Sequence, residues 1–232
     1  MIRVFNIVLF SYNFPHKKTY DFIENIIKSK YKISLIIAAE FIQIDSSKHA
    51  IENPSHYSPE DLAIQHNIPF KVAVHNSKKC VDLLKLHRIN LGIITGSRIL
   101  NSNIINNIKY GVLNFHPAIL PLIRGLDSIF WSIAKSVPIG VTAHLINNKI
   151  DLGNLVYQDL INIEYSDTIE LIIEKNYQLQ LKLIPIALNL LTSLDTFQAI
   201  EGGVYNKKMS KQEKLNTIRG LNKYIKNHVK KN

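Results

Sequence analysis

The stretch "GVLNFHPAILPLIRGLDSIFW", residues 111–131, sets Asn114 and His116 two apart after an apolar run, and "HLINNKIDLG", residues 144–153, sets Asp151 in a short polar loop between two apolar runs. These residue types make a usable set. A side-chain amide offers a fixed N–H to an oxygen that is gaining negative charge. An imidazole takes or gives a proton near neutral pH, and a carboxylate beside it holds the ring charged or relays the proton through water. Singly, each has a plainer explanation. An Asn at a strand end is more often a turn residue, a lone His more often packs or sits at the surface, and an Asp before Leu-Gly more often forms a turn. The plain account has to cover all three in this order, with Leu120-Pro121, Arg124-Gly125 and "GVTAH" (140–144) between them.

The elements that must position these residues follow from the hydrophobic pattern. "VFNIVLF" (4–10), "KISLIIAA" (32–39), "IPFKVAV" (68–74), "LGIIT" (91–95) and "GVLNF" (111–115) are short apolar runs that predict buried strands. Helical spacing predicts helices over 18–30 and 77–90, with a short one over 101–108. "SPEDLAIQHN" (58–67) carries strong helix-start signals: Ser58 as N-cap, Pro59 at the first helical position, Glu60 and Asp61 in the first turn. Residues 40–57, polar and mixed, are expected to be a loop. Strand and helix alternating in this way predict an α/β fold with an open, twisted, mainly parallel sheet. In such sheets ligands bind beyond the carboxyl ends of the strands, which is where Asn114 and His116 fall. After them, Pro117 and Pro121 predict extended chain, followed by a helix over 126–136 that makes Trp131 a core residue. Residues 140–146 and 154–163 predict an antiparallel strand pair closed by the 147–153 turn. A long amphipathic helix follows over 166–194, capped by Ser166 or Asp167 and kinked or split at Pro185.

Bulk composition narrows the class. Among 232 residues, 46% hydrophobic and 20% charged describe a globular chain, and no apolar run has the roughly 18 residues of a membrane span. The apolar N-terminal stretch is short and lacks a small-residue cleavage site, so it is expected to be a strand rather than a signal peptide, in a cytoplasmic protein. The single Cys80 excludes an intramolecular disulfide and an all-cysteine metal site, and is expected to be an inert core or boundary residue. The histidines lack metal-ligand spacing, so no metal is assigned. The net charge of +10 is uneven: residues 205–232 hold nine Lys or Arg and one Glu, leaving nineteen basic and seventeen acidic side chains elsewhere. The excess is thus a property of the tail, expected to be a solvated segment or helix rather than a nucleic-acid contact.

The motifs between 95 and 153 resemble those of the formyltransferase family that uses 10-formyltetrahydrofolate. The resemblance is carried by Asn114-Phe115-His116, Leu120-Pro121, Arg124-Gly125, Gly140-Val141-Thr142-Ala143-His144 and Asp151-Leu152-Gly153. "SRILNS" (97–102) is similar to the family's loop beside the pterin ring, and "SPEDLAIQHNIP" to its helix-plus-"IP" element. The likeness runs over about residues 1–200 and is densest from 91 to 153. It implies a Rossmann-like open twisted mainly parallel sheet with flanking helices (the formyltransferase fold), with a catalytic domain over 1–200 and a short basic C-terminal extension over 201–232. It further implies Asn114 as oxyanion donor, His116 as second donor and general acid, and Asp151 as base or proton relay. The formyl donor, 10-formyltetrahydrofolate, would lie along Arg98, Ile99, Leu100, Val112, Ile146, Asn147 and Asn148. For Ile99, Leu100 and Val112, plain core packing is the competing explanation. His144 is expected to supply a structural hydrogen bond near the site.

Three branches of that family compete for the acceptor. The purine branch carries a glycine-rich phosphate loop after its first strand, whereas this chain reads "FSYNFPHKKTY", without glycine, a poor backbone cradle for phosphate. The initiator-tRNA branch carries a C-terminal barrel domain for which fewer than 40 residues remain after the long helix. The branch acting on nucleotide-linked amino sugars, such as dTDP-4-amino-4,6-dideoxyhexoses of surface polysaccharides, has members near this length. Their short extension, which "EGGVYNKKMSKQEK" (201–214) resembles, often helps form a dimer. The expectation is therefore a nucleotide-sugar N-formyltransferase and homodimer, with no membrane partner. A phosphoribosylglycinamide-type enzyme, a formate-releasing hydrolase and a non-catalytic RNA-binding protein using the tail are the alternatives. "RGLDS" (124–128) lacks the Pro or Thr common after Arg-Gly, and Ala118 replaces a frequent Ser. Both departures bear on the acceptor side.

Overall fold

The computed structural model describes residues 3–40, 57–97 and 99–229. The expected 40–57 loop lies almost wholly outside these residues, as does Arg98. An eight-stranded sheet runs in the order β3-β2-β1-β4-β5-β7-β8-β9. Five strands are parallel: β1 (Ile7–Tyr12), β2 (Ile33–Ala39), β3 (Phe70–Val72), β4 (Leu91–Ile94) and β5 (Val112–His116). Then β7 (Gly140–Ile146), β8 (Gly153–Leu160) and β9 (Ala199–Ile200) continue antiparallel. The chain steps outward on one side through β2 and β3 and on the other through β4 and β5, so the order reverses between β1 and β4. That is where an open α/β sheet leaves a crevice.

Alternation along the strands separates two cores. Ile7, Leu9, Leu113, Phe115, Val141 and Ala143 face one layer, with Phe22, Ile23 and Ile26 of α1 (Lys17–Lys28) and Leu183, Ala187 and Leu188 of α6 (Ile169–Ser193). Val8, Phe10, Leu35, Ile37 and Val112 face the other, with Cys80 and Leu84 of α3 (Lys78–Leu86) and Ile104 of α4 (Ser102–Ile105). Cys80 is fully buried there, and burial pushes its thiol up to about 12, which makes it inert. Helix α2 (Pro59–Gln65) begins as the sequence predicts. The Ser58 hydroxyl accepts from the Asp61 N–H, and the Asp61 carboxylate accepts from the Ser58 N–H.

Several expectations are corrected. The first strand starts at Ile7, not Val4, whose side chain is exposed beyond the sheet. Residues 117–123 form a turn rather than extended chain, with a cis Leu120–Pro121 bond and an Ile123 N–H to Ile119 carbonyl bond. The Thr142 hydroxyl on β7 fastens that turn by donating to the Ala118 carbonyl and accepting from the Leu120 N–H. Helix α6 is capped by Thr168, because the Asp167 carboxylate is taken by Lys175 and the Glu164 N–H. It runs unbroken through Pro185, whose missing N–H removes one bond from a helix anchored by buried residues on both sides. Trp131 of α5 (Ser128–Ala134) is only half buried, and its indole N–H donates to the Lys207 carbonyl.

The basic tail is structured over its described part. Strand β10 (Tyr205–Asn206) pairs with β6 (Arg124–Gly125), and helices α7 (Lys211–Arg219) and α8 (Leu221–His228) follow. Leu221, Tyr224 and Ile225 pack with Ile133, Ile139, Ile163, Ile169 and Ile172, and the Tyr224 hydroxyl donates to the Val137 carbonyl. Lysines line the outer face while an apolar stripe docks on the body, so a charge count alone mistakes a packed element for a solvated one.

Candidate active site

Asn114 and His116 share one face of β5, about 7 Å apart along the strand. Across the antiparallel register Asn114 lies opposite His144 and His116 opposite Thr142. The Asn114 amide nitrogen lies 3.2 Å from His144 Nε2, and His144 Nδ1 lies 3.3 Å from the Leu152 carbonyl. A carbonyl only accepts, so Nδ1 carries the proton and Nε2 accepts from the Asn114 amide. The environment agrees: burial first, and the neighbouring His116 second, push His144 down to about 4, so the ring is neutral. This bond decides which end of the Asn114 amide is nitrogen and leaves its second N–H unspent among the described residues.

His116 is buried at the strand end, where its Nε2–H donates to the Ile123 carbonyl at 2.9 Å, with the Ser128 hydroxyl 3.4 Å away. Its Nδ1 faces Asp151 Oδ1 at 3.4 Å. With one nitrogen committed to a carbonyl and the other aimed at a carboxylate, the pair has room for a proton between Nδ1 and Oδ1. Neither nitrogen is left over as a second donor to a ligand, because the 117–123 turn brings the Ile123 carbonyl against the ring. Burial pushes His116 down, Asp151 and the Ile123 bond oppose this, and the Lys18 ammonium adds to the lowering. The Asp151 side chain is 15% exposed against 5% for His116, so the acid is the outward-facing member of the pair.

Asp151 is held by its loop and by β6. It adopts a left-handed φ of 52°, and Gly153 a φ of 125° at which an added Cβ would stand 2.0 Å from the Leu145 carbonyl oxygen. Asp151 Oδ2 accepts from the Gly125 N–H at 2.6 Å. The Arg124 guanidinium donates to the Ile150 carbonyl at 2.9 Å and to the Gly202 and Gly203 carbonyls at 3.0 and 3.1 Å. The buried Asn206 amide donates to the Arg124 carbonyl at 2.9 Å, so the C-terminal segment braces the strand that carries the acid.

The residues expected along a folate fall into two sets. Leu100 and Val112 are buried in one apolar cluster, with Ile146 packed at its edge, while Ile99 is 64% exposed. The loop around Ile99 is fastened by Asn76, whose amide donates to the Ile99 carbonyl and accepts from the Asn101 N–H. Asn147 and Asn148 are exposed on the turn after β7. Asn147 also lines a cavity of about 320 Å³ with Lys149, Leu152, Gly153, Glu201 and Gly202, on the flank of the Asp151 loop. Ile99, Asn147 and Asn148, an aliphatic side chain and two amides on irregular backbone, suit a flat heterocycle with polar edges, whereas Leu100 and Val112 are taken up by the core.

Residues 19–188 match the family model described as formyl transferase. The chain belongs to that family. It is similar to the phosphoribosylglycinamide formyltransferase of Bacillus subtilis (strain 168), 26% identical over 117 residues, a match covering 50% of this chain and 60% of the relative's length. In fold it is similar to the structure of a sugar N-formyltransferase from Shewanella sp FDAARGOS_354, with a TM-score of 0.63 and 20% identity over 94% of this chain and 89% of that one. It is likewise similar to the phosphoribosylglycinamide formyltransferase of Bacillus Halodurans, with a TM-score of 0.63 and 22% identity over 81% of this chain and 96% of that one. The shared fold is the Rossmann-like sheet expected of a formyl transferase.

Sequence reasoning missed three contributors. Ser128 and Asn206 reach the site from chain positions with no motif of their own. Lys18 hides in a Lys-Lys pair that looks like solvated helix surface, and only the fold brings its charge to bear on His116.

Proposed function

We propose that this chain is an N-formyltransferase that moves a formyl group from 10-formyltetrahydrofolate to the amino group of a nucleotide-linked amino sugar. The observation that carries the reaction is the convergence of the unspent Asn114 N–H with the His116–Asp151 pair at one strand end. The folate supplies an activated one-carbon acyl group. As the amine nitrogen bonds to the formyl carbon and the carbon–folate nitrogen bond breaks, Asn114 offers its free N–H to the formyl oxygen, where negative charge builds. Such a donor is worth about 2.7–4 kcal/mol in the barrier. Asp151, on the open side, takes the proton that the amine loses. His116 Nδ1 shares it and keeps it available for the departing nitrogen.

Two observations favour the amino-sugar acceptor over a ribonucleotide phosphomonoester. Residues 11–17 contain no glycine, and the loop is filled by Tyr12, Phe14 and His16 with ring centroids 5.4–5.7 Å apart, not by a backbone cradle. The likeness to the sugar N-formyltransferase structure also extends over 94% of this chain. The same reading carries a cytoplasmic homodimer, which sedimentation of the purified chain tests. For the reaction, the protein is incubated with 10-formyltetrahydrofolate and a panel of dTDP-4-amino sugars beside glycinamide ribonucleotide. The expected result is one sugar product heavier by a formyl group. Turnover of glycinamide ribonucleotide alone refutes the acceptor, and turnover of neither refutes the reaction.

A further inference from the structure

Lys17 and Lys18 are neighbours on the first turn of α1 and have opposite fates. Lys17 pairs with Asp21 and lies 4.8 Å from the centre of the Tyr177 ring. Lys18 makes no hydrogen bond or ion pair among the described residues. Its contact is with the Phe22 ring, 5.1 Å from the ammonium, and Phe22 packs edge-on against Phe115, the residue between Asn114 and His116. The Lys18 charge acts on the imidazoles of both His16 and His116. Its side chain keeps some contact with solvent, yet the surrounding protein strips enough water from the ammonium to bring it down to about 8. An ammonium held this way, with no acid paired to it among the described residues, is costly, and a ligand that completes the pair relieves that cost.

The surroundings fit an anion. Helix α1 runs for 12 residues, its N-cap His16 makes no side-chain capping bond, and its first turn holds no acid. Among the described residues, its first turn and N-cap therefore supply no negative partner of the kind such termini favour. The Ser11 hydroxyl at the end of β1 is fully buried with no hydrogen-bond partner, the only such side-chain atom among the described residues. β1, the loop and α1 all meet at the reversal of strand order, one strand away from β5.

We propose that Lys18 is the anion receptor of the acceptor subsite, its ammonium taking a diphosphate oxygen of the nucleotide-linked substrate at the α1 N-terminus. The inference rests on the acceptor reading above and deepens it. Lys18 supplies by charge what a glycine-rich loop would supply by backbone N–H groups, and it anchors the acceptor with its amine toward Asp151. A carboxylate of the folate donor is the competing source of the anion.

Calorimetric binding of dTDP, inorganic pyrophosphate and 5-formyltetrahydrofolate to the wild type, Lys18→Met and Lys18→Arg separates these cases. Loss of a charge-assisted contact weakens dTDP and pyrophosphate by about tenfold to a hundredfold in Lys18→Met. Lys18→Arg retains most of the affinity, and the folate analogue binds all three proteins alike. Equal binding of dTDP and pyrophosphate by the wild type and Lys18→Met overturns the proposal, as does a loss confined to 5-formyltetrahydrofolate. If pyrophosphate needs Lys18 while no protein binds dTDP, the anion receptor stands and the nucleotide reading fails.

Discussion

Replacing His144 with Gln tests whether a neutral buried imidazole orients the reactive amide. The ring is fully buried and lowered to about 4, against 6.5 for a free imidazole. A His whose native pKa is depressed leaves stability untouched above 6.5. As pH falls through 6.5 the unfolded chain takes up a proton that the native ring refuses, and stability drops until about 4. At 1.36 kcal/mol per pH unit the full loss is about 3 kcal/mol, of which about 2 kcal/mol develops between pH 7 and pH 5. Urea unfolding of both proteins at these two pH values gives the double difference, in which the lowered His16 and His75, which do not act on residue 144, cancel. We expect the wild type to lose about 2 kcal/mol more than the variant. At pH 7 the variant loses the Leu152 tether, about 1 kcal/mol, and the imidazole bond that orients the Asn114 amide. Its kcat should fall by about tenfold to a hundredfold through misplacement of the amide, with KM little changed. Identical pH slopes refute the neutral buried ring, and an unchanged kcat refutes its hold on Asn114.

Other outcomes follow from the same geometry. Asp151→Asn still accepts the Gly125 N–H but cannot take a proton, so kcat/KM should drop by about a hundredfold to ten-thousandfold with the melting temperature nearly unchanged. Asn206→Ala strips the Arg124 carbonyl of its buried partner, costs about 1–3 kcal/mol, and should both lower the melting temperature and reduce kcat. Gly153→Ala forces a side chain into a φ of 125° and against the Leu145 carbonyl, so it should destabilise by more than about 1 kcal/mol in urea and cost activity as the Asp151 loop shifts. Cys80, with its thiol at about 12, should resist iodoacetamide at pH 8 in the native protein and react at once in urea.

Most of the architecture could be read from the chain because local signals and tertiary demand agree over the described residues between 7 and 116. Apolar runs of strand length and Ser58-Pro59 opening α2 sit where periodicity and capping chemistry place them. The spacing of Asn114 and His116 was equally legible, since residues two apart on a strand share a face whatever the strand packs against. Tertiary structure decided what those side chains do. Whether Pro121 lies in extended chain or a turn depends on Thr142, a partner on another strand. That turn carries the Ile123 carbonyl to His116 Nε2, which leaves the imidazole sharing a proton with Asp151 instead of facing a ligand. The tail's lysine count concealed a helix docked through Leu221, Tyr224 and Ile225, because charge composition is blind to which face of a helix is covered. Lys17 and Lys18 differ locally, since Asp21 lies four residues after the first and Phe22 four residues after the second, a spacing the helical pattern already contains. Only the fold brings the Lys18 charge to bear on His116, because long-range packing cannot be read from neighbours in sequence.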